Sequence, residues 1–185
     1  MPSDAATSTL SLRERYGTVT QGLHWLAALL ILAAWGLGFM LEDFPKGPAR
    51  LTAIQVHSML GLLVLTFAVL RILSRLATSA PEPLGPAWVE RFARLGHGAL
   101  YALTLALPAT GLLLRWAHSG EATLLGGWTI PAPFTIPGEE FWAGTHELIA
   151  YALAALVLGH VVAALWHQYV LRDDVFARIV PGRGR

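Results

Sequence analysis

Two histidines stand in an otherwise apolar stretch near the end of the chain, GTHELIAYALAALVLGH at 144–160. His146 and His160 are fourteen residues apart, which is within about 40° of four full helical turns, so both belong to one helix face. A rise of about 1.5 Å per residue separates them by roughly 21 Å along the helix axis. Neutral imidazole is a common metal ligand, whereas an unpaired polar ring in lipid is costly. The spacing therefore points to two ligand positions at two depths.

The composition is that of a membrane protein. Of the 185 residues, 55% are hydrophobic and 14% are charged, against about 25% charged in soluble domains. Four long segments contain no Asp, Glu, Lys or Arg, and each can cross a bilayer at about 20 residues per helix. We expect an all-α membrane protein, a bundle of four transmembrane helices near residues 20–41, 53–74, 94–115 and 144–169. The longest connection, 116–144, is predicted as a loop.

Basic residues are distributed unevenly between the two ends of the predicted bundle. Ten of the 13 fall in the N-terminus, the second loop and the C-terminus, and three fall at the other end. Both termini are therefore predicted to be cytoplasmic. These residues cluster at helix ends and serve as topology signals, so no nucleic-acid partner is expected. The chain has no cysteine, which excludes cysteine-ligated iron–sulfur clusters, c-type haem attachment and disulfides.

This topology places two further histidines at the depths of the first two. His24, near the cytoplasmic end of the first helix, matches His160, and His57, near the external end of the second, matches His146. Two axial imidazoles per iron make a b-type haem site, and a four-helix bundle can hold such a cofactor in its core. We therefore predict a bundle enclosing two b-type haems, with axial pairs His24/His160 and His57/His146.

Other residues fit the same geometry. Arg71, fourteen residues after His57, shares its face at the cytoplasmic level and could pair with a propionate of the inner haem. His97 has no evident partner; a hydrogen bond to a propionate or a quinone and plain packing both stay open. Glycines 38, 61 and 111 could admit a flat macrocycle or simply pack helices. Solvated side chains are the expectation for histidines 118 and 167, at the membrane interfaces.

The same segments resemble a known family, the bacterial cytochrome b561 family. QGLHWLAALLILAAW is similar to its first helix, VHSMLGLLVLTFAVLRILSRL to its second, LGHGALYALTLALPATGLLL to its third and THELIAYALAALVLGHVVAALWHQYV to its fourth. The resemblance covers about residues 13–180, leaving a flexible N-terminus at 1–12 and a basic C-terminal tail at 181–185. It implies axial histidines at the four positions already paired: His24, His57, His146 and His160.

The resemblance also implies a function. A di-haem b protein of the bacterial inner membrane would exchange electrons with the quinone pool, with ubiquinone as acceptor or donor. One member type is a superoxide oxidase, which passes an electron from superoxide to ubiquinone. A cationic external site would steer superoxide, and Lys46, Arg50 and Arg115 are the external candidates. Six external acidic residues weigh against a broadly positive face.

Two other functions stay open from the sequence. The chain could be the cytochrome b subunit that anchors a dehydrogenase or hydrogenase, with an extrinsic redox partner. It could also be a haem-free, histidine-lined metal or proton transporter, although pairing at two depths favours haem. HELIA begins like a zinc-protease helix, but Ala150 stands where the second histidine would be.

Overall fold

A computed structural model describes residues 15–78, 86–173 and 175–181. Four long helices run through it: α1 (Thr18–Met40), α2 (Pro48–Ala77), α3 (Ala87–Ser119) and α4 (Glu139–Trp166). A π-helical turn, His167–Leu171, continues α4, and a short 3-10 helix, Phe176–Arg178, follows it. All four helices are long and apolar enough to cross a membrane. The predicted multi-pass helical architecture is confirmed. The expected N-terminal segment 1–12 and most of the tail at 181–185 lie outside the described residues.

The helices extend beyond the charge-free segments from which they were predicted. α2 begins at Pro48 rather than near 53, α3 begins at Ala87 rather than near 94, and α4 begins at Glu139 rather than near 144. Charge-free stretches mark the hydrocarbon layer, whereas a helix can continue into the polar interface with charged side chains. Local signals set the ends: Pro48 occupies the first turn, where proline is tolerated, and Gly120, with φ of 74°, closes α3.

The sequence predicted the connection 116–144 as a loop, but the structure shows that it also contains regular secondary structure. It contains a two-stranded antiparallel hairpin, β1 (Glu121–Thr123) and β2 (Thr129–Pro131). The indole of Trp116, in the last turn of α3, donates to the carbonyl of Ile130 at 2.9 Å, and Ala132 N–H donates to the carbonyl of Gly120 at 2.8 Å. These bonds hold the hairpin against the end of α3.

The closest backbone packing follows chain order. α1 packs on α2, α2 on α3, and α3 on α4. An ideal Cβ at Gly61 would lie 3.9 Å from Cβ of Pro108, an ordinary contact where α2 meets α3. Large apolar side chains remain exposed along the outer faces, among them Leu32 at 58% and Leu158 at 65%. This is the distribution expected of helices that face lipid.

The C-terminal segment returns to the beginning of α1. Arg15 donates to the carbonyls of Ala177 and Val180 at 2.8 and 3.1 Å. Gln21, which is buried, donates to the carbonyl of Arg178 at 3.2 Å, and the indole of Trp25 donates to that of Ile179 at 3.0 Å. Residues near both chain ends therefore lie at one end of the bundle. The compartment that this end faces stays a prediction from the charge distribution.

The buried bond of Gln21 gives a first prediction. Gln21→Leu keeps the shape of the side chain and removes its donor, so we expect a loss of about 1 kcal/mol in stability. Thermal unfolding in detergent would measure the loss, and limited proteolysis should cut earlier within residues 172–181. Thr52→Ala removes an exposed hydroxyl that bonds its own helix and should change stability by less than about 0.5 kcal/mol. Equal effects of the two substitutions would contradict a specific role for this bond.

Candidate cofactor site

One histidine pair lies across the interior of the bundle, at the end away from the chain termini, and is called external here after the predicted topology. His57 on α2 and His146 on α4 have ring centroids 6.1 Å apart, with their planes at 86°. Two metal–nitrogen bonds of about 2 Å each, with about 1 Å more from each nitrogen to its ring centre, put two axial imidazoles about 6 Å apart. α2 and α4 are not among the closely packed helix pairs of the described structure. A centroid separation of 6.1 Å is therefore compatible with two imidazoles that share one metal.

Hydrogen bonds fix which nitrogen of each external ring is free. His57 Nδ1 lies 3.0 Å from the carbonyl oxygen of Ala34, and His146 Nδ1 lies 3.0 Å from that of Leu107 and 3.2 Å from Thr110 Oγ1. A carbonyl can only accept, so each Nδ1 carries the hydrogen and donates it. Nε2 of each neutral ring keeps its lone pair. Metal-bound histidines usually show this arrangement, in which the second ring nitrogen donates to a backbone carbonyl.

Two glycines make room for these rings. An ideal Cβ at Gly38 would lie 2.8 Å from Cε1 of His57, and one at Gly111 would lie 2.9 Å from Cε1 of His146. Both distances are too short for a real side chain. Each glycine is four residues after the carbonyl that accepts from the same ring, Ala34 in one case and Leu107 in the other. The sequence left two roles open for these glycines, space for a flat macrocycle and helix packing. In the structure, both make room for a histidine ring.

The inner pair lies at the other end of the bundle. His24 on α1 and His160 on α4 have ring centroids 6.3 Å apart, with their planes at 60°. The structure also brings His97 on α3 to this point, with its ring centroid 5.6 Å from that of His160. No partner for His97 was evident from the sequence, because helix spacing alone does not reveal how α3 is rotated. His160 therefore has two neighbouring imidazoles, at distances that suit axial pairing about equally well.

Arg71 belongs to this inner cluster. Its Nη2 lies 3.1 Å from Nδ1 of His24, and its guanidinium carbon lies 5.3 Å from the ring centre of Tyr101. Arginine only donates, so Nδ1 of His24 accepts and the hydrogen of this neutral ring is on Nε2. The external rings have the opposite tautomer, with the hydrogen on Nδ1. For His24 to ligate through Nε2, Arg71 has to turn from Nδ1 towards another acceptor.

The remaining histidines lie apart from both pairs. His118 Nδ1 is 2.7 Å from Oε1 of Glu139, with both side chains half exposed. His167 Nδ1 is 2.6 Å from Oδ2 of Asp173. Among the residues that the structure describes, no group of three or more His, Asp or Glu could hold a metal ion. Imidazole pairs suit a cofactor that supplies the other ligands itself, as a haem does.

An internal repeat, which was not expected from the sequence, relates the two halves of the bundle. His24 and Gly38 on α1 correspond to His97 and Gly111 on α3, and the spacing is fourteen residues in both. The same spacing separates His57 from Arg71 on α2, and His146 from His160 on α4. These spacings are visible in the sequence, but the place of His97 beside His160 depends on the rotation of α3, which they do not define.

A four-helix membrane bundle with histidines paired across its interior is the architecture of a b-type membrane cytochrome. The family model described as "Prokaryotic cytochrome b561" matches residues 15–182, nearly the whole chain. The chain therefore belongs to the prokaryotic cytochrome b561 family. Membership supports haem binding, electron transport and a multi-pass membrane location.

Three relatives illustrate the similarity. The chain is 33% identical over 167 residues to "Cytochrome b561 homolog 1" of Escherichia coli (strain K12), covering 87% of this chain and 94% of that protein. It is 28% identical over 179 residues to "Cytochrome b561 homolog 2" of the same organism, covering 90% and 92%. It is also 28% identical over 177 residues to "Probable superoxide oxidase CybB" of Yersinia pestis, covering 92% and 98%.

Proposed function

We propose that this chain is a di-haem b protein of the bacterial inner membrane that exchanges electrons with the quinone pool. The observation that carries the proposal is the external pair, in which His57 and His146 have a suitable separation, free Nε2 atoms and glycine-lined space. These two residues would hold one haem, and His24 and His160 would hold the other. When bound, haem b supplies one-electron redox chemistry.

The chain's own residues determine how each haem is held. The carbonyls of Ala34 and Leu107 orient the external rings and, by accepting from Nδ1, raise the basicity of Nε2. At the inner end, Arg71 would pair with a propionate, which would release Nδ1 of His24 to donate. His97 stands beside His160, where it can donate to a propionate or to a quinone oxygen.

The proposal includes an electron donor and an acceptor. A relative named "Probable superoxide oxidase CybB" favours superoxide as donor and ubiquinone as acceptor. Three basic residues at the external end, Lys46, Arg50 and Arg115, could attract the anion, against six acidic residues at the same end. A cytochrome b subunit that anchors a dehydrogenase or hydrogenase is the alternative, and co-purification of a stoichiometric extrinsic redox protein would favour it.

The first test is a count of haem in the protein purified in detergent. We expect two b-type haems per chain, a dithionite-reduced minus oxidised spectrum of the b type, and reduction of both haems by a ubiquinol analogue. Ubiquinone reduction driven by a superoxide source would support the proposed donor. A chain without haem, expressed with adequate haem supply, would overturn the proposal and turn attention to metal or proton transport. Two haems that no quinol reduces would overturn the quinone part alone.

Arg71 provides a more specific prediction. Arg71→Gln removes a positive charge beside His24, and loss of a nearby cation favours the ferric over the ferrous state. We expect the potential of one haem to fall, by about tenfold in its reduction equilibrium constant, or about 59 mV, while the other haem stays unchanged. A redox titration followed in the visible spectrum would resolve the two components. Arg75→Gln removes a charge from the last turn of the same helix and should have the smaller effect.

A further inference from the structure

Arg115, near the external end of α3, has no side-chain partner among the residues that the structure describes. Its side chain is half-buried, and its Nε is shielded from solvent and has no hydrogen-bond partner. Within the part of the chain that the structure describes, the side chain forms no hydrogen bond or ion pair. A guanidinium is charged at every physiological pH, and shielding even part of it without an anion is unfavourable. Within the described residues, the shielded Nε therefore lacks an acceptor.

The register of α3 places Arg115 one helical turn after the glycine that lies against the His146 ring. Arg115 is four residues after Gly111, so the two share a helix face, with Cβ positions about 6 Å apart. Gly111 is the residue whose ideal Cβ would meet the His146 ring at 2.9 Å. Side chains on a helix lean towards its N-terminus and cover the preceding turn. The side chain of Arg115 therefore leans towards the turn that contacts His146.

We propose that Arg115 binds a propionate carboxylate of the external haem and thereby sets the potential of that haem. This inference rests on the proposed function, because it requires a haem between His57 and His146. A carboxylate matches the guanidinium in charge and in its two-pronged geometry. Arg115 is then a positioning residue of the external site, as Arg71 is of the inner one.

A lipid phosphate and superoxide are other sources of anionic oxygen at this depth. The shielded Nε and the face shared with Gly111 favour a ligand inside the bundle over a lipid headgroup outside it. Superoxide would bind transiently and would leave Arg115 unpaired for most of the time, with the same cost of burial. The propionate, in contrast, would stay with the haem that His57 and His146 hold.

The test is the potential of each haem in Arg115→Gln. Removing the cation should lower the reduction equilibrium constant of one haem by about tenfold, or about 59 mV, and leave the other unchanged. Arg115→Lys keeps the charge and should restore most of the potential. Lys46→Gln removes a charge from the same end of the bundle, at an exposed position, and should move neither haem. The shift should persist in a His24→Ala background, which keeps the external haem, and be absent in His57→Ala.

Each outcome separates this inference from the proposed function. A parent protein without two haems contradicts the proposed function, whatever Arg115 does. Two haems with unmoved potentials in Arg115→Gln overturn the propionate assignment, and a slower reaction with superoxide there would identify that anion as the ligand instead. Equal shifts of both haems would indicate a general charge effect and would also overturn it. Selective loss of the external haem in Arg115→Gln, with partial recovery in Arg115→Lys, would support the assignment.

Discussion

His57→Ala will give a purified chain that carries one b-type haem in place of two. If His57 is an axial ligand, its removal would leave the iron with one protein ligand, and the freed space would supply no other, since Ala34 and Gly38 line it. His146→Ala should remove the same haem, so the double variant should have the same haem content and spectrum as either single variant. Haem per chain, read with the reduced-minus-oxidised spectrum and the electron paramagnetic resonance of the ferric protein, checks this.

The inner pair is tested in the same series. His160→Ala should remove the inner haem under either ligand assignment, because His24 and His97 both lie next to it. His24→Ala and His97→Ala then differ. If His24/His160 is the axial pair, His24→Ala loses a haem and His97→Ala keeps two. The reverse result would assign the inner haem to His97 and His160.

Matched controls come from the two histidines outside the pairs. His118→Ala removes a side-chain hydrogen bond with Glu139 at the surface, and His167→Ala removes one with Asp173. Both variants should keep two haems. Loss of haem in these controls as well would mean that histidine substitution destabilises the whole bundle, and the paired-ligand interpretation would then lose its support.

The second large effect is expected from a single methyl group. Gly111→Ala puts a Cβ 2.9 Å from Cε1 of His146, and Gly38→Ala puts one 2.8 Å from Cε1 of His57. The rings cannot simply retreat, because their Nδ1 atoms are bonded to Leu107 and Ala34. We expect overpacking to cost about 1–3 kcal/mol and to lower occupancy of the external haem. Haem content and thermal unfolding of the loaded protein measure the two effects.

Two other glycines provide the controls. Gly98→Ala lies on the same helix as Gly111 but has nothing within 4 Å of the new Cβ, and Gly61→Ala makes only an ordinary contact at 3.9 Å. In a helix interior, alanine is favoured over glycine by up to about 1 kcal/mol, so Gly98→Ala should leave haem intact and be neutral or stabilising. Equal losses in all four variants would show that backbone flexibility, rather than ring contact, explains the need for glycine at Gly38 and Gly111.

Several features of the site followed from the sequence alone. Charge-free segments identified the four helices, and the topology matched His24 with His160 and His57 with His146, because depth in a membrane depends only on position along a straight helix. The structure places both pairs at about 6 Å. That they ligate haem stays a prediction, as do the orientation of the termini and the roles of Arg71 and His97.

Other features of the site and fold could not be predicted from the residue types along the sequence. Acceptors for the external rings are backbone carbonyls of Ala34 and Leu107, and any residue type supplies a carbonyl. The proximity of His97 depends on the rotation of α3 about its axis, which a single apolar sequence does not define. The hairpin after α3 and the return of residues 176–180 to α1 depend on contacts between distant parts of the chain, such as Trp116 with Ile130 and Gln21 with Arg178.

The internal repeat has a consequence for assembly. The helices form two helical hairpins, α1–α2 and α3–α4. Each external ring is oriented by the other helix of its own helical hairpin, His57 by α1 and His146 by α3. Each proposed axial pair, in contrast, takes one histidine from the α1–α2 half and one from the α3–α4 half. Each helical hairpin can thus orient its own histidine ring during membrane insertion, before the two hairpins associate. Each iron would then cross-link the two halves, so that haem completes the tertiary structure as well as the redox centre.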